Sequence, residues 1–255
     1  MRFDIITLFP EMFAPFLASG VTRRAYASDQ VAVRLWNPRD YAQGNYRRVD
    51  DRPFGGGPGM VMLVEPLQAC LDAIRADRAE DPATQVPLVL FSPIGQTLNH
   101  AAVERWGQGA GAILLCGRYE GIDQRFIDTH VDAQISLGDF VLSGGEIAAL
   151  ALLDAVTRLQ PGVLNDAGSH QLDSFNPSLD GLLDCPHYTR PEVWQGQEVP
   201  PVLMSGHHAQ IERWRRDQSL QITARHRPEL LAKAREAGRL TRKDEAVLVK
   251  IADGL

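Results

Sequence analysis

The chain has 255 residues, enough for one large domain or two smaller ones. With 44% hydrophobic and 23% charged residues it lies in the globular range, which excludes an intrinsically disordered chain. Its formal net charge of −6 argues at first against a nucleic-acid partner.

In chain order, residues 2–9 and 31–37 read as strands. The loop NYRRVDDRPFGGGPGM (45–60) follows, with Arg47, Arg48 and Arg52 beside its glycines. A helix comes next. Pro66 suits its first turn, and Leu67, Cys70, Leu71 and Ile74 repeat at helical spacing. The pattern then turns regular: strands at 86–91, 112–116 and 132–137 alternate with helices near 99–108, 124–130 and 146–159. That alternation predicts a parallel sheet in an α/β layer architecture. Residues 160–183, rich in Pro, Gly, Asn, Asp and Ser, read as a linker. Helices at 207–217, 228–237 and 241–252 predict a small, mainly helical C-terminal domain. The expected organisation is 1–160, a linker over 161–183, and 184–255.

The charge distribution alters the first objection. Residues 1–50 carry 7 basic and 5 acidic groups, residues 51–200 carry 8 and 20, and residues 201–255 carry 11 and 7. Basic ends around an acidic centre suggest modules with different tasks. All the basic residues except Lys233, Lys243 and Lys250 are Arg, whose planar fork suits phosphates and base edges. In the helix holding HHAQIERWRRDQSL, Ile211 and Trp214 lie within about 60° of each other. Arg213 and Arg216 are then expected on the opposite, solvent-facing side, as a surface for phosphates.

Cys70, Cys116 and Cys185 form no CxxC pair, which reads as a reduced, cytoplasmic protein without disulfides. Cys185, His187, His207 and His208 match no zinc spacing, so no metal site is expected. Asp4, Pro10 and Glu11 interrupt the apolar N-terminus, against a signal peptide, and no apolar run reaches membrane-spanning length.

Three successive strands each run into a glycine-bearing loop, at Gly95, at Gly117 and Gly121, and at Gly138, Gly144 and Gly145. In open α/β sheets ligands bind beyond the carboxyl ends of the strands, so these loops predict a pocket. There is no Walker A pattern and no GxGxxG after a strand. FVLSGG suits an adenosine held by backbone and apolar contacts better than a polyphosphate, and Glu146 weighs against an anion at that helix start. On spacing alone, Arg158 reads as an i,i+4 ion-pair partner of Asp154 and Asp173 as a solvated loop carboxylate.

Four segments carry a resemblance: DDRPFGGGPGM (50–60), LCGRYEGID (115–123), GDFVLSGGE (138–146) and LLDCPHYTRPE (182–192). With the opening ITLFPEMF, they resemble the bacterial tRNA (guanine-N1)-methyltransferases over nearly the whole chain. Phe140 and Leu137 stand where the family often has Tyr and Ile, and both keep an apolar wall. The resemblance implies a SPOUT-type parallel sheet with a deep trefoil knot, a homodimer, and tRNA as partner. It implies methyl transfer from S-adenosylmethionine to N1 of the guanosine 3′-adjacent to the anticodon, position 37. It places the cofactor at Phe91, Ser92, Pro93, Gly95, Gly117, Tyr119, Glu120, Leu137, Gly138, Asp139, Phe140, Val141, Leu142, Gly144 and Gly145, with Glu120 holding the cofactor or a magnesium ion (Mg2+). It makes Asp173 and Arg158 the catalytic pair, against the reading from spacing. tRNA contacts are expected at Asp50, Arg52, Gly59, His187, Arg190, Arg213 and Arg216, and the linker is expected to order when tRNA binds. The competing readings are an α/β enzyme acting on a small molecule and a non-catalytic RNA-binding module.

Overall fold

The computed structural model describes residues 1–79, 85–164 and 170–253. The chain divides into two compact units, Met1–Asn165 and Asp166–Leu255.

In the first unit the short apolar runs form a parallel sheet. β1 (Arg2–Ile6) leads through two short helices, α1 (Ala14–Leu17) and α2 (Arg23–Ala27), to β2 (Ala32–Trp36). Two short antiparallel strands, β3 (Asp50–Asp51) and β4 (Val61–Met62), frame the glycine-rich loop ahead of α3 (Val64–Arg78). Then β5 (Leu88–Thr97), α4 (His100–Gln108), β6 (Gly111–Leu115), α5 (Gln124–His130), β7 (Ala133–Ser136) and α6 (Glu146–Thr157) alternate. The order across the sheet is β2-β1-β6-β5-β7, and every pair is parallel.

Successive strand residues face opposite sides of the sheet, so each strand feeds two cores. Phe3, Ile5, Val89, Ala112 and Leu114 pack with Val103 of α4 and with Ala149, Leu152, Leu153 and Val156 of α6. Ile6, Leu88, Leu90, Ile113 and Leu115 pack with Leu67, Cys70, Leu71 and Ile74 of α3 and Phe126 of α5. Each large apolar side chain fully buried this way contributes about 1.5–3 kcal/mol. Covered on both faces, β6 is buried at every residue.

One charged device joins α3 to the sheet. Asp4, in mid-strand and 0% exposed, accepts from Arg78 Nε at 2.6 Å, Trp36 Nε1 at 2.8 Å and Arg2 Nη2 at 2.8 Å. Arg78, also buried, adds a bond from Nη2 to the Arg2 carbonyl at 2.8 Å. A buried carboxylate is tolerated only with such saturation.

β5 pairs with β7 on both sides of an irregularity: Phe91 and Gln96 both stand opposite Ile135. The intervening chain runs so close to its neighbour that a Cβ on Gly95 would lie 2.5–2.6 Å from backbone atoms of Gln134 and Ile135. Only glycine fits there.

The second unit contains the hairpin β8 (Val193–Trp194) and β9 (Gln197–Glu198), then α7 (Pro201–Met204), α8 (His208–His226), α9 (Pro228–Glu236) and α10 (Arg242–Asp253). Leu182, Leu220, Leu231, Ala234 and Leu248 form its core. Of the segment read as linker, Val163 packs in the core of the first unit and Leu182 in the core of the second. No described helix is long and apolar enough to cross a membrane.

The start of α10 is a reciprocal cap: Thr241 N donates to Asp244 Oδ2 at 3.0 Å, and Asp244 N donates to Thr241 Oγ1 at 3.2 Å. Burial disfavours the charge of Asp244, but hydrogen bonds from Arg216 and Thr241 outweigh it and hold this carboxyl at about 2, against an ordinary 3.8. The folded value is the lower one, so the stabilisation is complete above 3.8 and is lost as pH falls to about 2. Asp244→Asn should therefore lower stability near neutral pH by about 1–3 kcal/mol. Its gap to the wild-type protein should close across that acid window. Denaturant unfolding followed by circular dichroism at a series of pH values measures both effects.

Candidate active site

The ends of β5, β6 and β7 are adjacent because β5 lies between the other two. The irregular middle of β5 and the segments that follow β6 and β7 enclose a cavity of about 290 Å³. Phe91, Ser92, Pro93, Gly117, Tyr119, Glu120, Leu137, Gly138, Phe140, Val141, Leu142, Gly144 and Gly145 line it, all from the set expected at the cofactor. Gly95 and Asp139 are not among its lining residues; Gly95 lies against β7 instead, and the Asp139 side chain is exposed. The lining also includes Arg118, Ile122, Ile135 and Ser143, which the sequence reading did not single out.

The walls are stitched by main chain. Gly145 N donates to the Gly117 carbonyl at 3.0 Å, and Arg118 and Gly144 form an antiparallel bridge. A Cβ on Gly145 would lie 2.7 Å from Cys116 Cα, so glycine is what permits this approach. Ser136 Oγ accepts from Gly138 N at 3.1 Å and fixes the turn out of β7.

Beneath the pocket lies a charge pair. Glu146, the first residue of α6, is 0% exposed. Its Oε1 accepts from Thr7 Oγ1 at 2.8 Å, and its Oε2 lies 2.9 Å from Arg118 Nη2. The latter is a charge contact rather than an aligned hydrogen bond, since Oε2 has no hydrogen-bond donor. Arg118 Nη1 donates to the Ser143 carbonyl at 3.2 Å, and the guanidinium stands 4.3 Å from the centroid of the Phe9 ring. The pair thus joins the turn after β1, the loop after β6 and the start of α6. Position favours Glu146 as well, since a carboxylate in the first turn complements the helix dipole. Burial and the Glu146 charge push the Cys116 thiol well above its ordinary range, which keeps it protonated and inert.

The rim connects to the glycine-rich loop. Glu120 N donates to the Met60 carbonyl and Met62 N to the Gly121 carbonyl, both at 2.9 Å. Gly59 packs against the Glu120 side chain. Burial raises the Tyr119 hydroxyl, and Asp50 raises it further, while Arg39 Nη2 reaches that oxygen at 3.4 Å. Two expected tRNA residues, Asp50 and Gly59, therefore touch two expected cofactor residues, Tyr119 and Glu120. Arg52 is exposed, and its amide donates to Asp51 Oδ1 at 2.7 Å. Glu120 belongs to no group of three metal donors among the described residues.

Arg158 is the C-cap of α6, half-buried at the end of that apolar helix. Asp173 belongs to the second unit, in a run of turns: its amide donates to the His170 carbonyl at 3.3 Å, and its own carbonyl accepts from Asn176 N at 3.2 Å. Asn176, 8% exposed, organises this run by donating from Nδ2 to the His170 carbonyl at 3.0 Å and accepting at Oδ1 from Ser178 N at 2.9 Å. Residues 165–169 of the expected linker lie outside the described residues.

Arg190 and His187 are exposed, and His187 Nε2 sits 2.8 Å from Asp184 Oδ2. Among the described residues one group, Asp184, Cys185 and His187, brings three donor atoms within 4.8 Å of one another. His207 and His208 are not part of it. Arg213 and Arg216 depart from the expected free basic face. Arg213 Nε bonds Asp217 Oδ1 at 2.8 Å and Nη1 bonds Asp244 Oδ1 at 3.1 Å, while Arg216 Nη2 reaches Asp180 at 2.8 Å and Asp244 at 3.1 Å. The reason is helical geometry. Arg213, Arg216, Leu220 and Thr223 share one stripe of α8, and Leu220 and Thr223 are buried.

A sequence profile for the family described as tRNA (Guanine-1)-methyltransferase TrmD matches residues 1–233. The chain is 76% identical over 251 residues to the tRNA (guanine-N(1)-)-methyltransferase of Paracidovorax citrulli, covering 98% of each chain. It is 72% identical over 251 residues to the protein of the same name from Polaromonas sp. (strain JS666), covering 98% of this chain and 97% of that one. The corresponding protein of Albidiferax ferrireducens is 71% identical over 248 residues, covering 97% and 98%.

Removing one member of the buried pair strands the other. Glu146→Ala should destabilise the first unit by about 3–5 kcal/mol, and Glu146→Gln, which retains an acceptor for Thr7, by less. Urea unfolding of both variants checks this; equal stability of Glu146→Ala and the wild-type protein would remove the pair from any structural role.

Proposed function

The chain belongs to the tRNA (guanine-1)-methyltransferase family, and we propose that it transfers a methyl group from S-adenosylmethionine to N1 of the guanosine 3′-adjacent to the anticodon, position 37. The observation that carries this reading is the pocket where the irregular middle of β5 and the segments after β6 and β7 converge.

The pocket suits that donor. Leu90, Ile122, Ile135, Leu137, Phe140 and Leu142 supply apolar wall, while Gly117, Gly138, Gly144 and Gly145 expose main chain. A flat adenine with its ribose takes contacts of both kinds. Glu120, the carboxylate of the lining, complements the positive charge of the sulfonium and of the amino-acid ammonium group. A volume of about 290 Å³ lies at the lower end for cofactor sites. Bound there, the donor supplies an electrophilic methyl group on a sulfur that departs as a neutral thioether.

The chain's own residues handle the nucleophile. Guanine N1 carries a proton and attacks poorly until that proton is removed. Asp173 accepts it as general base, and the pair released from the N1–H bond then forms the N1–CH3 bond as the sulfur–CH3 bond breaks. The electron pair left on the base spreads to O6, where the Arg158 guanidinium stabilises the developing negative charge. In this reading the hydrogen-bonded turns around Asn176 hold Asp173, and Asp50, Arg52, Gly59, His187 and Arg190 contact the tRNA. Arg213 and Arg216 act on that surface indirectly, by organising the helices of the second unit.

The reading includes a cytoplasmic homodimer and a deep trefoil knot. Val141 and Ile147, exposed beside the pocket, are apolar surface that a second subunit would cover. The close approach of Gly95 to β7 supports the knot.

Incubation with an unmodified tRNA transcript, followed by mapping of the methylated nucleotide, tests the proposal; a methyl group at another nucleotide, or none, would overturn it. Asp173→Ala should lower kcat by about 10²–10⁴-fold and Arg158→Ala by about 10²–10³-fold. Full activity in Asp173→Ala would remove the general-base assignment while leaving the family intact.

A further inference from the structure

The loop between β3 and β4 holds an aromatic side chain entirely in water. Phe54 is fully exposed, and Tyr46, earlier in the same segment, is 95% exposed. A phenyl ring held wholly in solvent leaves its apolar faces open to a flat partner. Phe54 is presented on a closed turn: Gly56 N donates to the Pro53 carbonyl at 3.2 Å, and Gly55 follows Phe54 with φ of 87°. A positive φ at the third position is what a type II turn demands.

Two further observations say what the partner is. Arg47, Arg48 and Arg52 are exposed in the same segment. Arg47 and Arg48 pair with Asp40 and Asp51 at the surface, contacts weak enough to exchange for phosphates. Arg52 forms no ion pair among the described residues. The loop is also anchored beside the pocket, since Met60 accepts from Glu120. Six residues span at most about 20 Å, so the ring stays within a few nucleotides of the methyl donor. An exposed ring in one segment with exposed arginines suits unpaired bases, which stack on aromatic rings while their phosphates are neutralised.

We infer that Phe54 is a base-stacking residue for an unpaired nucleotide of the substrate's anticodon loop. The inference rests on the tRNA reading above and adds the residue that seats the single strand. Phe54→Ala should raise KM for tRNA about 5- to 100-fold, the equivalent of roughly 1–3 kcal/mol for one stacked base. Its affinity for S-adenosylmethionine should stay at the wild-type value, and Phe54→Trp should restore KM. Phe54→Trp also reports directly: an anticodon stem-loop RNA should quench the added indole, with wild-type protein as the background for Trp36, Trp106, Trp194 and Trp214.

An unchanged KM in Phe54→Ala, or an unquenched indole in Phe54→Trp, would overturn the inference. So would a Phe54→Ala protein that sediments differently from wild type yet binds the stem-loop equally well, which would assign the ring to a contact between two copies of the chain. Failure of the parent reading is seen separately, as wild-type protein that leaves the full transcript unmethylated.

Discussion

β5 precedes β6 and β7 in the chain, yet it lies between them in the sheet, and the pocket depends on that placement. It brings three strand ends side by side, so the loops that follow can share one cavity. The arrangement is demanding. The irregular middle of β5 must approach β7 with no room for a side chain at Gly95, and α6 must begin against the main chain of Cys116. Such close main-chain contacts leave charge to finish the assembly. Arg118 and Glu146 do so, by tying loops that share no ladder of sheet hydrogen bonds.

Much of this was legible from residue order. The helical spacing of Leu67, Cys70, Leu71 and Ile74 marked the buried face of α3, and the glycines after β6 and β7 marked pocket walls, whereas Gly95 lies within β5 and against β7. What stayed hidden depends on partners distant in sequence. Asp4 reads as a break in an apolar strand until Arg78 is seen to reach it from the end of α3. Glu146 reads only as a carboxylate that weighs against an anion at the helix start, and its burial shows once Arg118 and Thr7 are seen beside it. In α8 the error had a single cause: charge was taken as the mark of a solvent face. Arg213 and Arg216 share a stripe with Leu220 and Thr223 and meet Asp244 across it, so there the charged residues look inward. For Arg158 and Asp173, spacing offered only the commoner structural roles, and their assignment came from resemblance.

Charge therefore divides into two populations. One is internal, with guanidinium and carboxylate groups matched across buried or half-buried contacts, as in Arg78 with Asp4 and Arg216 with Asp244. The other is displayed, as in Arg47, Arg48 and Arg52 of the segment that holds Phe54. Net charge sums the two and describes neither. The displayed population bears on an RNA partner, because exposed pairs exchange their ions at little cost while the internal ones do not.

The close approach at Gly95 also bears on the order of assembly. The partners of β5 on that side, Gln134 and Ile135, follow it in the chain only after α4, β6 and α5. Pairing across such a separation closes a long loop before any contact rewards it. The cavity takes its shape only once that distant pairing is made. For the same reason it cannot be lost by fraying from a terminus, since both of its principal walls are interior to the chain.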